Sequence, residues 1–95
     1  MGKILIHETI CDELNKLYES KNKDYGDSFG KSYNEYGEVM AVIRLEDKLN
    51  RFKNIIKNNE MKVLDESIDD TLMDLANYAI MTLIERRLKG GMKHE

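Results

Sequence analysis

The chain has 95 residues and a formal net charge of −3 at pH 7, with 35% charged and 41% hydrophobic residues. Its single cysteine excludes an internal disulfide, and its acidic balance argues against general binding of DNA or RNA, which requires a basic face. The apolar run at 4–6 is too short for a signal peptide or a membrane span. We therefore expect one soluble, cytoplasmic domain over 1–95, with a frayed tail over about 90–95.

The N-terminal half of the chain predicts one helix, a polar turn and the start of a second helix. The first helix covers about 4–21 and is expected to point four apolar side chains inward: Ile6, Ile10, Leu14 and Leu17. A polar turn at 21–32 follows, because it contains two glycines among charged residues. The second helix covers about 33–57, with an apolar seam of Val42, Leu45, Leu49, Phe52 and Ile56.

The C-terminal half predicts a linker at 57–62 and a third helix from the N-cap Asp65 to about Leu88. No segment predicts a strand, so the fold class is all-α, with three main helices in a small antiparallel bundle. The apolar faces are wider than one layer of three helices covers, and the third helix adds Met73, Ile80 and Ile84 beyond its main stripe. Oligomerisation is therefore expected to complete the core, as a homo-oligomeric dimer or a multiple of one.

Acidic residues interrupt the faces that these helices are expected to bury. On a helical wheel at roughly 100° per residue, Glu38 falls within the seam of the second helix and Glu35 at its edge. Asp69 lies beside the apolar stripe of the third helix, with Glu66 and Asp70 in the adjoining sector. Clustered, buried carboxylates are costly unless a cation compensates, and oxygen ligands suit magnesium. The sequence predicts that these five acids hold Mg²⁺; the alternative is that acids are solvated or pair with lysines.

The spacing of these acids resembles that of the MazG and dimeric dUTPase type of all-α nucleotide pyrophosphohydrolases. The pairs are ExxE at 35–38 and ExxD at 66–69. The resemblance implies that acid pairs on two helices hold magnesium against the phosphates of a nucleotide. Asp70 competes with Asp69 for the final ligand position, because Asn77 follows Asp70 by seven residues, as an asparagine often does in that superfamily.

Three blocks in order look like the nucleotide-modification-associated domain, a small family common in bacteriophages and their hosts. They are KNKDYG at 21–26, RLEDK at 44–48 followed by Arg51, and DESIDDTLMDLANY at 65–78. The resemblance implies phage-type nucleotide metabolism or modification, in the cytoplasm of a bacterial host cell. It indicates a small nucleotide as the ligand more firmly than it indicates a reaction.

The basic block offers a phosphate contact. Arg44, Lys48 and Arg51 follow at steps of four and three, so they form a positive stripe on one helical face. Guanidinium and ammonium groups suit phosphate oxygens. The alternative is that Asp47 pairs with the two arginines within the helix. Each such pair stabilises a helix by roughly a few tenths of a kcal/mol.

The first polar segment and the third helix complete the predicted ligand contacts. These are Lys21, Asn22 and Tyr25 in the first segment, together with Asn77 and Tyr78 on the third helix. The alternative is that the first segment is an ordinary surface loop. The rings of Tyr25 or Tyr78 would stack on a base while the cations contact phosphates.

Three functions compete. The first is a magnesium-dependent nucleotide pyrophosphohydrolase, in which the metal activates a water and Glu38 and Asp70 act as catalytic carboxylates. The second is a non-catalytic binder that sequesters a nucleotide or a nucleotide-derived immune signal for a phage. The third is an accessory subunit of a DNA-modification system, which requires a protein partner. Product formation or recovery of intact ligand distinguishes the first two.

Overall fold

The computed structural model describes residues 2–58 and 64–90, without the side chains of 64–67. Its four α-helices are α1 (Lys3–Tyr25), α2 (Ser28–Tyr36), α3 (Glu38–Asn58) and α4 (Leu64–Lys89). The described ranges contain no strand, which confirms the all-α class. None of the described helices is long and apolar enough to cross a membrane. The predicted linker is helical at 57–58; the rest of it, and the predicted tail from 91 onward, lie outside the description.

Two glycines divide the N-terminal half differently from the prediction. Gly26 has φ 69° and ends α1, and Gly37 has φ 79° and ends α2. Positive φ is a conformation that favours glycine, and here the backbone N–H groups of these residues donate to Asn22 and Tyr33 carbonyls. The polar turn predicted at 21–32 is therefore mostly helical, and the single helix predicted at 33–57 is two helices.

The helices pack around α4. The most extensive packing joins α3 to α4, while α2 contacts both and α1 makes its main contact with α4. The buried apolar side chains among the described residues are few: Leu14, Tyr33, Met40 and Ala41. Phe29 packs against the cluster of Tyr33, Met40 and Ala41 from the first turn of α2.

Most of the apolar side chains predicted to point inward lie at the surface of this single chain. On α1, Leu14 is buried as predicted, but Ile6 and Ile10 are exposed. On α3, Leu45 and Phe52 are half-buried, whereas the other members of the predicted seam are exposed: Val42, Leu49 and Ile56. One chain therefore covers only part of its own apolar surface.

Candidate functional site

A cavity of about 380 Å³ opens between the end of α1, the start of α2, α3 and the middle of α4. This volume lies within the range of small-molecule pockets. We call this cavity the groove. Its lining includes six of the side chains predicted to contact a ligand: Lys21, Asn22, Tyr25, Arg44, Asn77 and Tyr78.

The last turn of α1 places the first three of these residues on a helix and not on a loop. Asp27 then caps α2, because its carboxylate accepts a hydrogen bond from the Gly30 backbone N–H at 3.1 Å. The cap and the left-handed turn at Gly26 direct the chain so that Phe29 reaches the groove wall. Lys21 and Tyr25 are thus held by regular backbone hydrogen bonds at the groove edge.

Asp74 of α4 connects three helices at one side of the groove. Its Oδ1 lies 3.2 Å from Lys21 Nζ on α1, and its Oδ2 lies 3.0 Å from Lys48 Nζ on α3. Burial raises the pKa of Asp74, but the hydrogen bonds and charges of Lys48 and Lys21 outweigh it and leave the pKa below its ordinary value. Asp74 therefore pairs with two lysines, and this pairing stabilises the relative position of the groove walls.

Aromatic rings form another wall of the groove. The Phe29 and Tyr78 ring centroids are 5.8 Å apart with planes at 28°, and Phe29 stacks in the same way on Tyr33 at 6.4 Å. This stack runs from the buried core to the groove, so Tyr78 is supported from behind. Tyr25 is 75% exposed at the groove edge, where its ring is available to a ligand.

Asn77 has a structural contact as well as a place in the groove lining. Its side chain is buried, and its Nδ2 donates to the Leu14 carbonyl at 3.1 Å. This hydrogen bond joins α4 to the one buried apolar residue of α1. Removing the amide would therefore disturb the packing of α1 as well as any ligand contact.

The three residues of the predicted positive stripe on α3 have different environments. Arg44 lines the groove, Lys48 contacts Asp74, and the Arg51 Nε donates to Thr71 Oγ1 at 3.2 Å outside the lining. Among the described side chains, none of the ion pairs involves Asp47. Lys48 and Arg51 instead contact α4, and the alternative pairing of Asp47 with the two arginines is not seen among the described side chains.

Of the acids predicted to bind magnesium, the four with described side chains are not assembled in the groove: Glu35, Glu38, Asp69 and Asp70. Because Gly37 separates α2 from α3, Glu35 and Glu38 lie on different helices and not on one helical face. Glu38 is exposed and pairs with Arg86, whose hydrogen bond and charge hold the pKa of that carboxyl below its ordinary value. It lines a second, more open cavity beside Tyr33, whose pKa is raised by burial and by the Glu38 charge.

The predicted magnesium ligands on α4 also lie outside the groove where their side chains are described. Asp69 and Asp70 are exposed and do not line the groove, and the Glu66 side chain lies outside the described residues. In the part of the chain that is described, no three acids, histidines or cysteines form a group that could hold a metal ion. The acids that are described therefore do not fit a shared cation in this arrangement, and the magnesium site stays a prediction.

A family model described as nucleotide modification associated domain 1 matches residues 21–85. The matched range contains every lining residue of the groove except Tyr18. No curated protein and no solved structure matches the chain. The groove is thus built almost entirely from the segment that the family model describes.

Proposed function

The chain belongs to the nucleotide modification associated domain 1 family, and from that membership and the chemistry of the groove we propose that it binds a nucleotide or nucleotide-derived ligand without hydrolysing it. The family predicted from the three sequence blocks is confirmed, while the MazG-like resemblance stays a prediction. The observation that carries the proposal is that residues from three separate sequence blocks line one cavity.

The polar side of the groove suits phosphate. Arg44 lines it without a carboxylate partner among the described residues, so its guanidinium can meet phosphate oxygens with two parallel hydrogen bonds. Lys21 adds a positive charge to the lining, while Asp74 and Asp27 add two negative ones, and Lys48 lies outside the lining with its Nζ on Asp74. The formal balance of these five groups is +1, which favours an anion.

The aromatic side of the groove suits a base. Tyr78 is held by its stacking on Phe29, and Tyr25 presents an exposed ring at the groove edge. Stacking of a base on an aromatic ring contributes about 1–3 kcal/mol and tolerates any base. A ligand with a flat ring at one end and phosphate at the other therefore matches the two sides of the groove.

Binding without turnover is favoured over hydrolysis by the state of the groove carboxylates. Asp74 contacts two lysines, and Asp27 caps α2, so neither is placed to accept a proton from water. The described acids predicted for the metal and the catalysis lie elsewhere: Glu35, Glu38, Asp69 and Asp70. The role of an accessory subunit in DNA modification stays a prediction, because it concerns a protein partner.

The proposal is tested by calorimetric titration with mono-, di- and triphosphates and cyclic dinucleotides, followed by mass spectrometry of the recovered ligand. At least one ligand is expected to bind and to be recovered intact, with and without magnesium. Arg44→Gln should weaken its binding by about 1.5–3 kcal/mol, the usual effect of a lost charge-assisted hydrogen bond. Lys53→Gln is the matched control, since Lys53 is an exposed cation of α3 outside the groove. Absence of binding across the panel, or conversion of the ligand, contradicts the proposal.

A further inference from the structure

The outward side of α4 carries an apolar seam that this chain does not cover. We define the outer seam as the four residues Leu72, Ala76, Ala79 and Leu83, which follow at steps of four, three and four. Leu72 is 39% exposed and Leu83 is 53% exposed, and between them Ala79 is exposed and Ala76 is half-buried. Steps of this kind place side chains in one line along a helix, as in the contact line between two paired helices.

The inward side of α4 is the more polar one. Thr71, Asp74 and Asn77 face the other helices of the chain, through hydrogen bonds and ion pairs to α1 and α3. A surface helix normally shows the opposite arrangement, with its apolar stripe inward and its polar side in water. The polarity of α4 therefore indicates that its outward side is covered by another apolar surface.

The residue order and spacing of the outer seam read the same from either end of the helix. Its order is leucine, alanine, alanine and leucine, and the spacings are symmetric about a point between Asn77 and Tyr78. When two copies of α4 lie antiparallel, Leu72 meets Leu83 of the second copy, and Ala76 meets Ala79 of the second copy. A seam that is complementary to itself is what a twofold interface requires, and the central alanines allow the helices to approach closely.

Charge favours the same orientation. The first half of α4 carries the exposed acids Asp69 and Asp70, and its last turn carries Arg86, Arg87 and Lys89. Asp69 and Arg87 are 18 residues apart, so at roughly 100° per residue they lie on the same side of the seam. In an antiparallel pair each Asp69 is therefore beside Arg87 of the second copy, whereas a parallel pair would bring like charges together.

We propose that two copies of this chain form a twofold dimer through the outer seam, with their α4 helices antiparallel. The Cα radius of gyration is 15.1 Å, whereas a compact domain of this length has about 12 Å, so the isolated chain is open for its size. The groove lies on the inward side of α4, so both grooves of the dimer stay accessible. The dimer does not depend on the proposed ligand.

Substitution at the centre of the outer seam tests the interface. Ala79→Arg adds bulk and charge where two alanines meet, and no acid lies three or four residues away to pair with it. The substitution occurs twice in each dimer and should raise the dimer dissociation constant by at least about a hundredfold, because two charges enter an apolar contact. Circular dichroism should show unchanged helix content, because Ala79 is exposed in the single chain.

Two controls place the same arginine on other exposed apolar surfaces. Val39→Arg lies on α3 and Ile4→Arg on α1, where the wild-type side chains are 67% and 78% exposed. Sedimentation equilibrium at micromolar concentration should give twice the chain mass for wild type and both controls, and the single chain mass for Ala79→Arg. A monomeric wild type overturns the proposal. So does a dimer that resists Ala79→Arg and dissociates with either control.

Cysteine cross-linking tests the orientation in a Cys11→Ser background. Mixed Ala76→Cys and Ala79→Cys chains should form a covalent dimer on oxidation, because these positions face each other only in the antiparallel pair. Either variant alone should cross-link at least about tenfold more slowly, since the paired sulfurs are offset by about 4.5 Å along the axes. Preferential cross-linking of the single variants instead supports a parallel pair and overturns the proposed orientation.

Discussion

Asp74 and Glu38 are both acids that pair with cations of another helix, yet their surroundings differ. The Asp74 side chain is 24% exposed and contacts two lysines from two helices. The Glu38 side chain is 53% exposed, and its partner Arg86 is 59% exposed. Water screens the second pair and competes for its hydrogen bonds, whereas the first is partly protected. The comparison teaches that sequence spacing identifies acids beside an apolar face, but burial and the number of partners decide what each acid does.

Removing Asp74 should give the largest change in stability. Asp74→Ala leaves Lys21 and Lys48 without their shared carboxylate and removes the ion pairs that join α1 and α3 to α4. We expect the free energy of unfolding to fall by about 2–3 kcal/mol, measured by urea denaturation. Glu38→Ala is the matched control and should change it far less, because both members of that pair are mostly exposed. Equal losses in the two variants would remove the distinction between the pairs.

The basic residues of α3 allow a second comparison. Arg51→Ala should lower the free energy of unfolding by about 1 kcal/mol, because the buried Thr71 hydroxyl loses its hydrogen-bond partner. Its effect on nucleotide affinity should be small, since Arg51 does not line the groove. Arg44→Ala should have the opposite profile, with weaker binding and little change in unfolding. Calorimetry and denaturation of both variants check this, and a strong loss of affinity in Arg51→Ala would extend the site along α3.

The stabilisation that Asp74 and Glu38 contribute should depend differently on pH and on salt. The pKa of Asp74 is lowered in the fold, so its stabilisation is complete above the ordinary pKa of a carboxyl and is lost as the pH falls through the lowered value. Asp74→Asn should therefore make stability less dependent on pH in the acid range. The pKa of Glu38 is also lowered, but added salt should screen that exposed pair more strongly. Thermal melts from neutral to acid pH, at low and high salt, measure both effects.

The fold class followed from sequence periodicity, but the division into helices did not. The predicted second helix runs through Gly37 although its apolar seam begins at Val42, and nothing in the sequence pattern shows that this glycine adopts positive φ. The last turn of α1 carries polar residues from Lys21 to Tyr25, which give no apolar period although they remain helical. Periodicity detects a buried face, and the end of α1 from Lys21 to Tyr25 has none.

The site was predictable where a residue lies in a recognisable block, as Arg44 and Tyr78 do. The partner of an acid was not predictable, because Arg86 is 48 residues from Glu38 and Lys21 is 53 residues from Asp74. The wheel placed Glu38 within an apolar seam, but part of that seam is exposed in the single chain, including Val42. Helical phase gives the direction of a side chain on its own helix and does not give the position of the next helix.

The smallest expected effect concerns magnesium, and it decides between binding and hydrolysis. If Glu38 serves mainly as the partner of Arg86, millimolar magnesium should leave the melting temperature of wild type unchanged relative to EDTA. Glu38→Gln should then melt slightly lower under both conditions, because a lowered pKa means that the fold favours the charged carboxylate. Under the hydrolase hypothesis, magnesium should raise the melting temperature of wild type. This gain should disappear in Glu38→Gln and Asp70→Asn. Melts of wild type, Glu38→Gln and Asp70→Asn, each with EDTA and with magnesium, distinguish these outcomes.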